Sequence, residues 1–286
     1  GVATVSNGQF SLNFVLPKDI DYTFGPGKLS YYAENGISDA TGYYDGFLIG
    51  GTDPDGLTDD KGPLVEVFMD DEQFVFGGLT GENPLLLVKL SDENGINISA
   101  SSIGHDMTGV LDDRQAERFR LNDFYESALD DFTRGTVRYP LNKLEEGLHT
   151  VRVKAWDVAN NPSEGYTEFV VASSASVALD HVLNYPNPFT TNTWFEFEHN
   201  AAGLPLDVRV DIFTISGRLV KSLERQILPQ GARVTRQDGI QWDGTDDFGD
   251  QLARGVYLYR VSVRSMGSAG QAREAESEFE KLVILR

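Results

Sequence analysis

Apolar and polar residues alternate along much of this chain, and the alternation is broken at short intervals by glycine, proline and acidic residues. Over residues 8–16, Phe10, Leu12, Phe14 and Leu16 fall on one side, and Gln9, Ser11 and Asn13 on the other. A period of two is that of a half-buried strand, so a strand is expected here, ended by Pro17. Gly25–Gly27 reads as a turn, Lys28–Ala33 as a second strand and Phe47–Ile49 as a short third one. A piece this small rarely stands alone. Residues 1–60 are therefore read as the closing strands of a β-sandwich, or as strands packed on the next module.

After the acidic connection around Asp53–Gly62, apolar runs return at Leu64–Met69, Phe74–Phe76 and Leu85–Leu90. Between Thr150 and Trp156, Val151, Val153 and Ala155 face one way and Thr150, Arg152 and Lys154 the other. The turn Asp157–Pro162 leads to a last strand, Thr167–Val171. Strands bounded by turn signals predict an immunoglobulin-like sandwich over residues 61–172. Leu121, Phe124, Tyr125, Ala128 and Leu129 have helical spacing. The run is short, and Asp130-Asp131 would place negative charge at a helix C-terminus, where it is disfavoured. A loop or hairpin with at most one helical turn is expected instead.

Residues 173–179 read as a linker opened by the small-residue run Ser173–Ser176. Residues 180–286 then supply strands at Trp194–Glu198, Leu206–Phe213, Gly255–Val263 and Glu278–Leu285, with a flexible hairpin tip at Ser265–Ala272. Val208, Val210 and Ile212 share one face, as do Tyr257, Tyr259, Val261 and Val263. The fold class expected is all-β, built as tandem immunoglobulin-like β-sandwiches.

Composition narrows the function. The chain has 286 residues, a hydrophobic content of 40% and a formal net charge of −20. The acidity is concentrated in residues 1–172, consistent with separate modules. Affinity for a phosphate backbone needs clustered Lys and Arg, so nucleic acid is excluded as a partner. Cysteine is absent. That removes a thiol nucleophile, a disulfide framework and a thiolate zinc site from within this chain. No run of about 18 apolar residues is present, so no membrane-spanning helix is expected. No signal peptide precedes the first expected strand, and the chain reads as starting inside a longer protein.

The acidic loop places Asp53, Asp55, Asp59 and Asp60 at spacings that offer oxygen ligands to a hard cation, and calcium is the candidate ion. It lacks the bidentate Glu of an EF-hand loop. The same residues also read as a solvated linker between sandwiches. Gly104-His105-Asp106 with Asp112-Asp113 invites an acid–base reading, but no nucleophile elbow surrounds Ser101 or Ser102. The alternative is a histidine bonded locally in a turn. Trp156, Trp194 and Trp242 suggest either a sugar platform or packing in core and turns, and packing fits their positions better. In Trp242-Asp243-Gly244-Thr245-Asp246-Asp247-Phe248-Gly249, Asp243 and Asp246 are expected to accept turn N–H groups, with glycines at positive φ. No catalytic constellation emerges, so this chain is not expected to be an enzyme by itself.

Four segments occur in order over the last module: Tyr185-Pro186-Asn187-Pro188-Phe189, Ile215-Ser216-Gly217-Arg218-Leu219-Val220, Gln241-Trp242-Asp243-Gly244-Thr245-Asp246 and Gly255-Val256-Tyr257-Leu258-Tyr259. They resemble the C-terminal sorting domains of type IX secretion substrates in Bacteroidota, and the immunoglobulin-like module of the flagellar hook-capping protein. Upstream, Lys18-Asp19-Ile20-Asp21-Tyr22, Gly27–Ala33, Ile103-Gly104-His105-Asp106 and Lys154-Ala155-Trp156-Asp157 are similar to the segment before the sorting domain in type IX secretion sortases, which are gingipain-like cysteine peptidases of the C25 family.

The resemblance implies the non-catalytic C-terminal region of such a peptidase, with the catalytic Cys and His in an upstream domain in cis. It implies outer-membrane export, surface retention and docking, with an outer-membrane β-barrel shuttle as partner and a secreted, cell-surface location. The competing expectation is an ordinary type IX cargo protein, with these modules serving adhesion or binding sugar or calcium.

Overall fold

The computed structural model describes residues 1–52, 56, 58–99, 104–172, 177–266 and 272–285. The protein is all-β, in tandem immunoglobulin-like sandwiches. Among the described residues the helical segments are single 3-10 turns, at Gln115–Glu117, Asn122–Phe124 and Arg236–Asp238. The chain divides into two compact units. One holds residues 1–67, 88–138 and 151–166, and the other residues 68–87, 139–150 and 167–286. Several strands, Leu85–Ser91, Gly147–Trp156 and Pro162–Val171 among them, contribute residues to both.

Two sheets are formed by residues 64–171. A four-stranded sheet runs Tyr125–Ala128, Asp131–Pro140, Leu85–Ser91, Leu64–Met69. A five-stranded sheet runs Leu79–Thr80, Pro162–Val171, Gly147–Trp156, Thr108–Leu111, Phe119–Arg120. Its outer pairing of Leu79–Thr80 with Val170–Val171 is parallel.

In the first unit, Val151, Val153 and Ala155 are fully buried, as their alternation requires. Two glycines are fixed by aromatic rings of their partner strands. A Cβ on Gly109 would lie 2.3 Å from the Phe119 ring, its cross-strand partner. A Cβ on Gly135 would lie 2.2 Å from the ring of Tyr125. In each pair the ring fills the face that the glycine leaves open. The segment with ambiguous periodicity resolves as a 3-10 turn, Asn122–Phe124, running into the hairpin strand Tyr125–Ala128.

The first fifty residues differ from expectation in three places, one of them an unexpected strand at Asp39–Tyr44. Residues 8–16 form no strand, and Phe10, Leu12 and Phe14 are 49%, 37% and 52% exposed. Alternation marks an apolar side, but a ladder needs a neighbouring strand, and among the described residues this stretch has only the isolated bridge of Gln9 with Ser6. Phe10 instead meets Tyr31 edge-on at 5.4 Å. Gly25–Pro26 is not a turn; it pairs with Leu48–Ile49 as a small sheet beside the hairpin Leu29–Glu34/Asp39–Tyr44. The chain start is tied down by Asp130, which accepts from the N–H and hydroxyl of Thr4.

In the second unit the strand expected at Phe74–Phe76 is a turn. Asp71 accepts the N–H of Gln73 through its side chain and that of Phe74 through its carbonyl, and Gly77 sits at φ +80°. The last module has two sheets. Thr193–His199 is central in the first, flanked by Leu179–Tyr185 on one side and by Arg233–Val234 and Gln241–Trp242 on the other. The second runs Leu219–Ile227, Leu206–Thr214, Gly255–Met266, with Ala272–Glu276 and Glu280–Ile284 both on the far side of Gly255–Met266. Between them lies a core of Phe195, Phe197, Val210, Ile212, Tyr259, Val261 and Trp242, all at most 2% exposed. Of the hairpin tip expected at Ser265–Ala272, Met266 and Ala272 are paired strand residues, and 267–271 lie outside the described residues.

Candidate functional site

Of the four residues expected to hold calcium, Asp53 and Asp55 lie outside the described residues, Asp60 is exposed, and Asp59 enters a cluster. Carboxylate oxygens of Asp59, Asp92 and Asp157 come within 4.8 Å of one another. Each acid is placed by a turn. Asp92 accepts the N–H groups of Asn94 (2.8 Å) and Gly95 (3.1 Å), closing the turn after Leu85–Ser91. Asp157, fully buried at the end of Gly147–Trp156, accepts from the N–H of Asn161 at 2.7 Å and from its side chain at 2.8 Å. Asp59 accepts from the Asn94 side chain at 2.6 Å and from the N–H of Lys61 at 3.0 Å.

These bonds set the electrostatics. The Lys61 N–H, then the Asn94 amide, hold Asp59 below the usual carboxylate range. Burial pushes Asp92 up, its two turn bonds oppose that, and the charges on Asp157 and Asp59 add to it. Three carboxylates converging from separate loops offer oxygen donors of the kind a hard divalent cation takes, three of the roughly six to eight that calcium uses. The reading from spacing identified Asp59 but missed Asp92 and Asp157. Their signal was present in Asp92-Glu93-Asn94-Gly95, which was not singled out, and in Asp157–Asn161, which read only as a turn.

His105 is not bonded within its own turn. Its Nδ1 lies 3.0 Å from Asp19 Oδ2, and the same carboxylate oxygen accepts from Asn97 Nδ2 at 3.0 Å. The imidazole stands edge-on to Trp156 at 4.5 Å. An Asp–His pair orients an imidazole as a catalytic base would be oriented, but Ser101 and Ser102 lie outside the described residues and no nucleophile is placed against it among the described ones. The pair ties three distant segments of the first unit together.

The tryptophans take separate roles. Trp242 is 2% exposed, packs on Phe189 at 5.6 Å and donates from Nε1 to the Thr245 carbonyl at 2.9 Å. Trp194 lies beneath the Arg236 guanidinium at 3.9 Å, and Trp156 beneath the Lys154 ammonium at 4.7 Å. The turn after Trp242 is built as its residues predict: Asp243 accepts from the Thr245 N–H, and Asp246 from those of Phe248 and Asp250. Gly244 and Gly249 are at φ +76° and +91°.

The segment Tyr185–Phe189 meets the last strand, Glu280–Ile284. Phe189 forms a parallel bridge with Ile284, donating to the Val283 carbonyl (3.0 Å) and accepting from the Leu285 N–H (2.9 Å). Two of the four segments that carry the family resemblance, Tyr185–Phe189 and Gly255–Tyr259, therefore bind the last strand from its two sides.

No family model matches the chain, and no curated protein sequence does. Among solved structures, it is similar to dimeric latent PorU from Porphyromonas gingivalis. The identity is 32% over 98% of this chain and 26% of PorU, with a TM-score of 0.41. The chain thus spans about a quarter of PorU's length. The fibronectin(III)-like modules of Clostridium thermocellum CbhA match 77% of this chain and 94% of theirs, at 9% identity and a TM-score of 0.28. The chicken CNTN1 FN1–FN3 domains match 93% of this chain and 77% of theirs, at 10% identity and a TM-score of 0.24. No helix among the described residues is long and apolar enough to cross a membrane.

Proposed function

We propose that this chain is the C-terminal, non-catalytic region of a secreted sortase-like peptidase of the gingipain-like C25 family. Its last module serves as the type IX sorting domain, read by the outer-membrane β-barrel shuttle. The preceding sandwich spaces and braces a peptidase domain in cis, and the whole is held at the cell surface. The observation that carries this reading is the 32% identity to PorU across 98% of the chain. The four ordered sorting-domain segments support it independently. With no cysteine in the chain, the thiol nucleophile of such a peptidase would come from upstream of it.

The test is export. Appended to a periplasmic reporter in a bacterium carrying type IX machinery, the chain should bring the reporter to the cell surface. A reporter that stays in the periplasm would refute the sorting role. The ordinary-cargo alternative is separated by the intact mass of the native protein taken from the surface. A mass that runs through the last module to Arg286 fits the sortase reading. A mass that stops near residues 173–180 makes the last module a removable tail.

Calcium remains the proposed ion for this chain, with Asp59, Asp92 and Asp157 as the carboxylates that would hold it; of the other residues expected, Asp60 is exposed, and Asp53 and Asp55 lie outside the described residues. The convergence of three carboxylates within 4.8 Å favours this placement.

A further inference from the structure

The last strand, Glu280–Ile284, lies against Gly255–Tyr259 on one side. Its other side is closed in an unusual way. Phe189 sets a parallel register there, its N–H bonding the Val283 carbonyl and its carbonyl the Leu285 N–H. Carried back by two residues, that register requires the main chain of residue 187 to donate to Lys281 and to accept from Val283. The side chain of Asn187 makes both bonds. Its Nδ2 donates to the Lys281 carbonyl at 2.8 Å, and its Oδ1 accepts from the Val283 N–H at 3.0 Å. A primary carboxamide carries an N–H cis to its oxygen, so its donor and acceptor face the same way, as the N–H and C=O of one residue do along a parallel ladder.

We propose that the Asn187 side chain stands in for the main-chain N–H and C=O of one strand residue, a latch that holds the last strand on the sheet and closes its outer edge to strand addition. Without the latch, the edge would offer an unpaired N–H at Val283 and an unpaired carbonyl at Lys281, which is the template an added strand needs. Phe189, 2% exposed and packed on Trp242, is the fixed end of the device; Asn187 is exposed and is the end that opens. The surface so guarded fits one kind of partner, an extended polypeptide segment lying parallel to Glu280–Ile284, one residue of which replaces the carboxamide with its own N–H and C=O. The latch is a property of the fold and does not depend on the export reading.

The experiment is amide hydrogen exchange on the full chain, comparing wild type, Asn187→Ala and Asn187→Asp. Asn187→Ala removes both bonds and should speed exchange at Val283 by about 10-fold or more. Val261, in the neighbouring strand, should keep its protection. Asn187→Asp keeps the acceptor for Val283 but loses the donor to Lys281, and its Val283 exchange should fall between the other two. Unchanged exchange at Val283 in Asn187→Ala would overturn the proposal. So would an equal rise at Val283 and Val261, because that pattern reports general destabilisation rather than release of one edge.

Discussion

Asp70 is the group whose replacement tests the electrostatics of the second unit most directly. It follows the strand Leu64–Met69 at φ +63°, and it pairs with Leu85 twice. Its N–H donates to the Leu85 carbonyl at 2.7 Å, and its Oδ1 accepts the Leu85 N–H at 2.9 Å. Its other oxygen is buried with no hydrogen-bond partner among the described residues. Burial, opposed by the Leu85 bond and helped by the charge on Asp71, pushes the carboxyl up from 3.8 to about 6. The folded chain therefore holds this proton about 100-fold more tightly than the unfolded one, which amounts to about 3 kcal/mol.

The sign follows from that. Stability linked to Asp70 is fully present below about pH 4 and is lost as pH rises through about 6. Asp70→Asn stays neutral throughout, keeps an oxygen for the Leu85 N–H, and suits a left-handed backbone as well as Asp does. Its NH₂ group would take the place of the unpartnered oxygen and loses about 1 kcal/mol if it too finds no partner. The variant should therefore be more stable than wild type by about 2–3 kcal/mol at pH 8, and equal to it or less stable by up to about 1 kcal/mol at pH 4. Urea unfolding followed by circular dichroism at the two pH values measures the difference, and ¹³C NMR titration of the carboxyl measures its cause. A gap between variant and wild type that is the same at pH 4 and pH 8 would refute the reasoning.

Other outcomes follow from single contacts. Gly135→Ala drives a Cβ into the Tyr125 ring and should cost about 1–3 kcal/mol, while the double change with Tyr125→Ala should recover part of the loss; thermal melts of the three variants check this. His199, fully buried, accepts the Ala201 N–H at Nδ1, and burial pushes it down from 6.5 to about 4. The stability it contributes is present above pH 6.5 and is lost as pH falls towards 4, by up to about 3 kcal/mol. His199→Asn, which can keep an acceptor for Ala201, should flatten that acid limb in unfolding curves taken between pH 7 and pH 4. Calcium should raise the melting temperature of the chain, chelation should reverse the rise, and Asp92→Asn should abolish it; a shift that survives in Asp92→Asn would place the ion elsewhere. Trp242→Phe should cost about 1–2 kcal/mol through loss of the Thr245 bond and core volume, read from thermal unfolding.

The strands that buried one face were legible in the sequence, because alternation fixes which residues go inward. Leu64–Met69, Leu206–Thr214 and Gly255–Met266 all follow from that rule. The strands that were missed carry weak alternation. Asp131–Pro140 has glycine and charge in its middle, Leu219–Ile227 is polar over most of its length, and Ala272–Glu276 alternates alanine with charge. Residues 8–16 failed the other way, with a clear apolar side and, among the described residues, no strand paired beside it. The acid cluster was only partly legible for a related reason. Asp59, Asp92 and Asp157 come from loops far apart in sequence, and a spacing rule reads only neighbours. His105 and Asp19 belong to the same class, 86 positions apart.

The four segments that carry the resemblance to sorting domains raise a different question, which is what such signatures report. In this structure most of their polar residues are occupied internally. Asp243 and Asp246 hold their own turn, Trp242 donates to Thr245, and Asn187 completes the edge of the last strand. Groups committed in this way contribute little to a partner's affinity unless they are first released, because each bond to the partner replaces one already made. A signature of this kind therefore marks how the last strand is built into the sheet more directly than what touches it. The exposed Tyr185 and Ile215, at 64% and 75%, lie within the same segments, and their side chains are free to make apolar contacts without breaking a hydrogen bond. If the machinery reads the folded module, alanine at these two positions should weaken export while melting is unchanged. If it reads the last strand itself, Asn187→Ala should change export while Tyr185→Ala and Ile215→Ala do not.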